Sequence, residues 1–115
     1  MKHVLFLCRK NRLRSPTAER VFADYPGIEV ASAGLDLHAV EPLTPELVEW
    51  ADLIFVMEQS QRHKLANSFG KHLRDQQIIC LDIPDEFGFM DAGLIEMLRE
   101  RVTPALPRDD SFQPQ

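Results

Sequence analysis

The chain has 115 residues, of which 44% are hydrophobic, and this is enough for one buried core but not for two. Its formal net charge of −5 at pH 7 argues against general nucleic-acid binding. The short apolar start runs directly into a polar loop, and no segment is long enough to cross a membrane, so we expect a cytoplasmic protein without a secretory signal or a membrane partner.

Apolar and amphipathic segments alternate along residues 1–102, which we predict to form a single domain. In chain order, the pattern predicts a strand at 3–7, a helix at 16–24, a strand at 28–32, a helix at 45–51, a strand at 53–57, a helix at 58–68, a strand at 77–81 and a helix at 91–102. This alternation is typical of a four-stranded parallel sheet covered by helices in three layers. The polar, proline-containing residues 103–115 are predicted to be a flexible C-terminal tail.

The loop after the first predicted strand carries the most informative residues. Cys8 and Arg14 flank five residues, and Ser15 and Pro16 fit the N-cap and the first position of the next helix. The amides of a first helical turn lack acceptors within the helix, so an oxyanion can satisfy them. The helix end and nearby cations favour the thiolate of Cys8, and the guanidinium of Arg14 matches two phosphate oxygens. This spacing predicts a phosphate site with its own nucleophile.

A cysteine at a strand end is by itself equally typical of a small buried core residue. The catalytic interpretation of Cys8 is favoured because Arg14, Ser15 and Pro16 occur together at these offsets between a strand and a helix. The hydroxyl of Ser15 is close enough in sequence to donate to the sulfur, which predicts that it stabilises the thiolate.

These segments resemble the signature of the low-molecular-weight protein tyrosine phosphatases. The resemblance lies in residues 4–8, Asn11 and 14–19, continues in 32–34, 51–57 and 82–85, and spans most of residues 1–101. It implies a flavodoxin-like α/β fold, a phosphocysteine intermediate, no cofactor, and a phosphorylated protein or small phosphorylated ligand as substrate. It also implies an aspartate that protonates the leaving group and then activates water, and Asp85 stands where that acid is expected.

The phosphate loop departs from the family pattern. Lys10 replaces a glycine, Arg9 and Arg12 replace apolar residues, and Leu13 stands where some relatives have a second cysteine. The conformation at Lys10 is therefore open, whereas Asn11 tolerates left-handed backbone angles. We predict that Arg9, Lys10, Asn11, Arg12 and Leu13 bind substrate. The extra cations favour a ligand with more than one negative charge, or they are solvated surface side chains.

The predicted acid loop departs as well. Asp85 is followed by Glu86 and Phe87, where the family has proline and an aromatic residue. Phe87 is predicted to contact substrate. The alternative role for Asp85 is to form the turn around Pro84, and Asp82 has the same alternative role.

The segment between Gly34 and Ala51 is a few dozen residues shorter than in the family. The missing part supplies an aromatic pocket wall and a histidine that braces the phosphate loop. Ser32 is the residue that we expect to support the loop in its absence, through Asn11 and Ser15.

No metal site is predicted, because His63 and His72 lack a third ligand at a suitable spacing. Cys80 lies in a predicted core strand and does not supply the pair of cysteines that an arsenate reductase needs. The sequence therefore predicts a cysteine-dependent phosphomonoesterase of the protein tyrosine phosphatase type, with Cys8, Arg14, Ser15 and Asp85 as catalytic residues. The alternative is a phosphate-binding module with little turnover.

Overall fold

The computed structural model describes residues 1–107. Its strands are Lys2–Cys8 (β1), Ile28–Gly34 (β2), Leu53–Val56 (β3) and Gln77–Cys80 (β4), and they form one parallel sheet in the order β2-β1-β3-β4. The helices are Arg14–Val21 (α1), Pro45–Trp50 (α2), Gln59–Phe69 (α3) and Ala92–Val102 (α4), with 3₁₀ turns at Gly70–His72 and Thr103–Ala105. The predicted flavodoxin-like arrangement of alternating strands and helices is confirmed.

The two central strands are buried on both faces, as expected for a parallel sheet with helices on each side. Every residue of β3 is fully buried, as are residues 4–7 of β1. On one face, α1 and α4 cover a cluster in which the rings of Phe6 and Phe55 stack with their centroids 5.3 Å apart. On the other face, α2 and α3 cover Leu5, Leu7 and Ile54. The apolar runs therefore form the middle of three layers.

Parallel strands bring their carboxyl ends to one edge of the sheet, and this edge holds the loops that follow β1, β2, β3 and β4. Side-chain caps fix the beginning of two of the helices at this edge. Thr44 accepts a hydrogen bond from the backbone of Leu47 at 3.2 Å to begin α2, and Asp91 accepts from Gly93 at 2.8 Å to begin α4. The loops thus converge around the end of the central strand β1.

Two predicted boundaries are wrong. Helix α1 begins at Arg14 with Leu13 at its N-cap position, so Ser15 is not the cap; its hydroxyl instead lies 2.9 Å from the sulfur of Cys8. The domain does not end at residue 102, because Leu106 is buried in the core and Tyr25 donates a hydrogen bond to the carbonyl of Pro107. The rest of the predicted tail, 108–115, lies outside the described residues.

Within residues 1–107, none of the helices is both long and apolar enough to span a bilayer.

Candidate active site

The phosphate loop at residues 9–13 is held by the short segment that follows β2. Two of its carbonyl groups and that of the preceding Cys8 accept hydrogen bonds of 2.9 to 3.1 Å from backbone amides of this segment: Leu35 donates to Cys8, Asp36 to Arg9 and Val40 to Lys10. The segment is itself tied to the end of β2, where Gly34 donates to Glu41 and accepts from Leu43. Its shortness therefore does not leave the loop unsupported, because its backbone provides the brace.

The loop conformation depends on Asn11 and not on Lys10. Asn11 has left-handed angles, with φ of 54°, while Lys10 keeps a negative φ, which explains how lysine is accommodated in place of glycine. From residue 10 to residue 13, no backbone amide donates to a backbone acceptor within residues 1–107. Such amides are available to an anion bound inside the loop.

A chain of hydrogen bonds leads from the sulfur of Cys8 to the surface. Ser15 Oγ lies 2.9 Å from Cys8 Sγ, and the side-chain amide of Asn11 donates to Ser15 at 2.9 Å and to Ser32 at 3.0 Å. Ser32 donates in turn to the carboxylate of Glu19 at 2.6 Å. The hydroxyl of Ser15 accepts from Asn11, so its own proton is free to point at the sulfur, which is the orientation that stabilises a thiolate.

Arg14 is 3% exposed and is fixed from two later loops. Its Nη1 group donates to the carboxylate of Glu58 at 2.6 Å and to the carbonyl of Ile83 at 2.8 Å, and its Nε lies 3.7 Å from Asp85 Oδ1. Glu58 also caps α3 together with Gln61, so the guanidinium is anchored to the first turn of that helix. The Nη2 group has no partner within residues 1–107, and it is available for a phosphate oxygen.

These residues surround a cavity of about 290 Å³ at the carboxyl edge of the sheet. Its lining consists of the nucleophile candidate, four cations, one apolar side chain and one carboxylate: Cys8, Arg9, Lys10, Arg12, Arg14, Leu13 and Asp85. Four positive charges around one thiol create a field that attracts anions.

Asp85 is the carboxylate of its loop that faces this cavity. Its side chain is 64% exposed, so it is accessible to a ligand and to water. Asp82 instead lies with Oδ1 3.3 Å from the sulfur of Cys80, and Asp91 caps α4. The geometry thus favours Asp85 over either neighbour for a role in proton transfer.

The structure places two predicted substrate contacts elsewhere. Phe87 does not line the cavity, because its ring packs against the core beneath α1 and α4, where Gly93 leaves room for it. Asn11 is 4% exposed, and its side chain points inward to Ser15 and Ser32, so it supports the loop and does not line the cavity. The sequence interpretation also missed Glu58, which directly follows the apolar run of β3 at the same sheet edge; that position is the signal that could have identified it.

Gly34 is a tightly packed point between the loop and its brace. A methyl group there would overlap that of Ala39 and lie 3.0 Å from both the carbonyl oxygen of Arg9 and the amide of Asn11. We expect Gly34→Ala to lower the free energy of unfolding by about 1–3 kcal/mol, as overpacking does. Denaturant unfolding measures this effect.

The double variant Gly34→Ala/Ala39→Gly is the matched control, because it removes the overlap of the two methyl groups while keeping both backbone contacts. It should regain part of the lost stability relative to Gly34→Ala. A single variant as stable as wild type would contradict the packing described for this loop.

The two cysteines are expected to differ in reactivity toward iodoacetate. Cys8 faces the cationic cavity, whereas burial raises the pKa of the Cys80 thiol, so less of it is thiolate at neutral pH. We expect Cys8 to be carboxymethylated at least about tenfold faster, because the cations around it raise the local concentration of the iodoacetate anion, and inorganic phosphate should slow only that reaction. Peptide mass spectrometry measures both rates. Equal rates without phosphate protection would contradict an anion site at Cys8.

The chain is similar to known phosphatases. The family model described as low molecular weight phosphotyrosine protein phosphatase matches residues 3–51. A protein-arginine-phosphatase from Bacillus subtilis (strain 168) is 33% identical over 96 residues, which cover 60% of this chain and 64% of that protein. The match therefore spans less than two thirds of the length of this curated relative.

Solved structures match over nearly the whole chain. A mutant of the YwlE arginine phosphatase with a phosphorylated active-site serine is 27% identical, with a TM-score of 0.72 and coverage of 96% of this chain and 99% of that chain. Wzb from Vibrio vulnificus, in complex with benzylphosphonate, is 22% identical with a TM-score of 0.74, and the match covers 90% of this chain and 96% of the Wzb chain. The similarity to Wzb supports the fold of this chain and nothing further.

Proposed function

We propose that the chain is a member of the low molecular weight phosphotyrosine protein phosphatase family and a cysteine-dependent phosphomonoesterase that acts through a phosphocysteine intermediate. One observation carries the proposal. Cys8, the buried Arg14 and Asp85 line the same cavity, and the backbone amides of the adjoining residues 10–13 donate to no backbone acceptor within residues 1–107.

In the first step, the thiolate of Cys8 attacks phosphorus and the bond to the leaving oxygen breaks. Arg14 and the loop amides bind the equatorial oxygens, whose charge they stabilise as the group flattens. Asp85 gives its proton to the leaving oxygen, so the alcohol departs neutral. The product of this half-reaction is an S-phosphorylated cysteine.

In the second step, water attacks the phosphocysteine and the S–P bond breaks. Asp85, now a carboxylate, accepts the proton from this water, which returns the acid to its starting form. Cys8 leaves as a thiolate, and the hydroxyl of Ser15, 2.9 Å away, stabilises the charge that appears on sulfur. The net reaction converts a phosphomonoester and water into an alcohol and inorganic phosphate.

We propose a phosphorylated protein or a small phosphorylated molecule as substrate. The relatives are named as phosphatases of protein arginine and of tyrosine, so both kinds of phosphorylated side chain deserve testing. A cytoplasmic location fits this chemistry, because a thiolate nucleophile requires a reducing compartment and both cysteines within residues 1–107 are free.

Pre-steady-state hydrolysis of p-nitrophenyl phosphate tests the proposal. A phosphocysteine intermediate predicts a burst of p-nitrophenolate up to the enzyme concentration when its hydrolysis is the slow step. Tight binding of phosphate without any release of p-nitrophenolate would show instead that the chain is a phosphate-binding module.

A further inference from the structure

Two neighbouring cavities share lining residues with the reaction cavity and differ from each other in charge. On the α3 side, a cavity of about 300 Å³ shares Arg9, Arg14 and Asp85 with the reaction cavity, and it is also lined by Glu58 and Lys64. On the β2 side, an open cavity shares only Arg12, and two carboxylates line it, those of Glu19 and Glu41.

The charges of the α3-side cavity are not all neutralised. Glu58 is bound to Arg14 at 2.6 Å, so these two charges satisfy each other. Arg9 and Lys64 make no ion pair and no side-chain hydrogen bond within residues 1–107. Two cations without a direct ion pair therefore line a cavity that adjoins the reaction cavity.

The carboxylate of Asp36 lies close enough to Lys64 to interact with its charge. The backbone amide of His38 donates to its carboxylate and lowers the pKa of Asp36, and Lys10 and Lys64 lower it further. Lys64 and Ser60 lie one turn apart on α3, and both line the cavity. The β2-side cavity has the opposite character, because Glu19 and Glu41 repel an anion that approaches Arg12.

We propose that the substrate of the phosphatase carries a second anionic group, a carboxylate or a phosphate, which binds in the α3-side cavity between Arg9 and Lys64. This inference rests on the proposed phosphatase function and adds its substrate class. Among residues 1–107, Leu13 is the one apolar side chain that lines the reaction cavity, so this part of the chain provides no aromatic wall for a phosphotyrosine ring. The positively charged guanidinium of a phosphoarginine would face Arg9, Lys10 and Arg12.

A matched pair of substrates tests the proposal: meta-(carboxymethyl)phenyl phosphate and the corresponding neutral amide, meta-(carbamoylmethyl)phenyl phosphate. The methylene group insulates the phenol, so the two leaving groups are nearly equal and only the remote charge differs. We expect kcat/KM to be about five- to tenfold higher for the carboxylate at low salt and to fall toward the value for the amide at high salt. The double variant Arg9→Gln/Lys64→Gln should remove the preference.

Two control variants locate the effect. Arg12→Gln removes a charge from the reaction cavity but not from the α3-side cavity, so the ratio of the two kcat/KM values should persist. Arg74→Gln removes an exposed charge at the opposite edge of the sheet and should leave the ratio unchanged. Circular dichroism of each variant establishes that it is folded.

The outcomes separate this proposal from the function on which it rests. If the wild type hydrolyses neither of the two probes, the proposed phosphatase function itself is contradicted. Equal kcat/KM for both probes in the wild type would overturn only the proposal of a second anionic group. Loss of the preference in Arg12→Gln together with its retention in Arg9→Gln/Lys64→Gln would overturn the assigned cavity.

Discussion

Replacing Cys8 with serine is expected to lower kcat for p-nitrophenyl phosphate by roughly 10⁴–10⁶, the range seen when an enzyme loses its nucleophile. The physical reason is that a serine hydroxyl is not ionised near neutral pH, so it lacks the nucleophilicity of a thiolate. The contacts that bind phosphate remain, because Arg14 is held by Glu58 and Ile83 and the loop by the backbone of residues 35–40. Binding and turnover should therefore separate in this variant.

Isothermal titration with inorganic phosphate, alongside steady-state kinetics, measures the two properties. Cys80→Ser is the matched control, since Cys80 does not line the cavity within the described part of the chain and its loss should leave kcat near the wild-type value. Residual activity of Cys8→Ser above about one per cent of wild type would exclude a mechanism through phosphocysteine.

The sheet was predictable because its signal is local. Residues 4–7 and 53–57 are uninterrupted apolar runs between polar segments, and such runs become central parallel strands whatever the details of their neighbours. The start of α1 was not predictable in the same way. Ser15 has the chemistry of an N-cap, but contacts with Cys8 and Asn11 use its hydroxyl, so a tertiary interaction overrides the local preference.

In the candidate site too, the residues that lie close together in sequence were predictable and the contacts between distant residues were not. Cys8, Arg14 and Ser15 lie within eight positions of one another, and their spacing alone identifies a phosphate loop. The contact between Arg14 and Glu58 joins residues 44 positions apart, and no local pattern reports it. The direction of the Phe87 ring was equally hidden, because it depends on packing against core residues that are distant in sequence.

The backbone contacts that hold the phosphate loop show why the absence of a bracing histidine is weak evidence for an unsupported loop. The family resemblance implies that a histidine is lost from the shortened segment, which suggested an unsupported loop. In the structure, the amides of Leu35, Asp36 and Val40 hold the loop carbonyls, and every residue except proline can supply such an amide. Backbone support of this kind leaves no signature in the sequence.

Replacing Asp85 with asparagine is the second change with a large expected effect. Asparagine has no carboxyl proton to give, so a poor leaving group such as phenolate must depart as an anion, and kcat/KM for phenyl phosphate should fall by roughly 10²–10⁴. The more stable p-nitrophenolate needs little protonation, so kcat/KM for p-nitrophenyl phosphate should fall much less. Its kcat should still fall, because the phosphocysteine then lacks the base that activates water.

Glu86→Gln is the matched control for this change, because it neutralises the adjacent, exposed carboxylate without altering the group beside Arg14. Its kinetic constants should stay within about threefold of wild type, as expected for an exposed charge outside the cavity. Small and equal losses for both substrates in Asp85→Asn would remove Asp85 from proton transfer. A large loss in Glu86→Gln would instead assign that role to Glu86, and would mean that the loop turns during catalysis to bring a different carboxylate to the leaving oxygen.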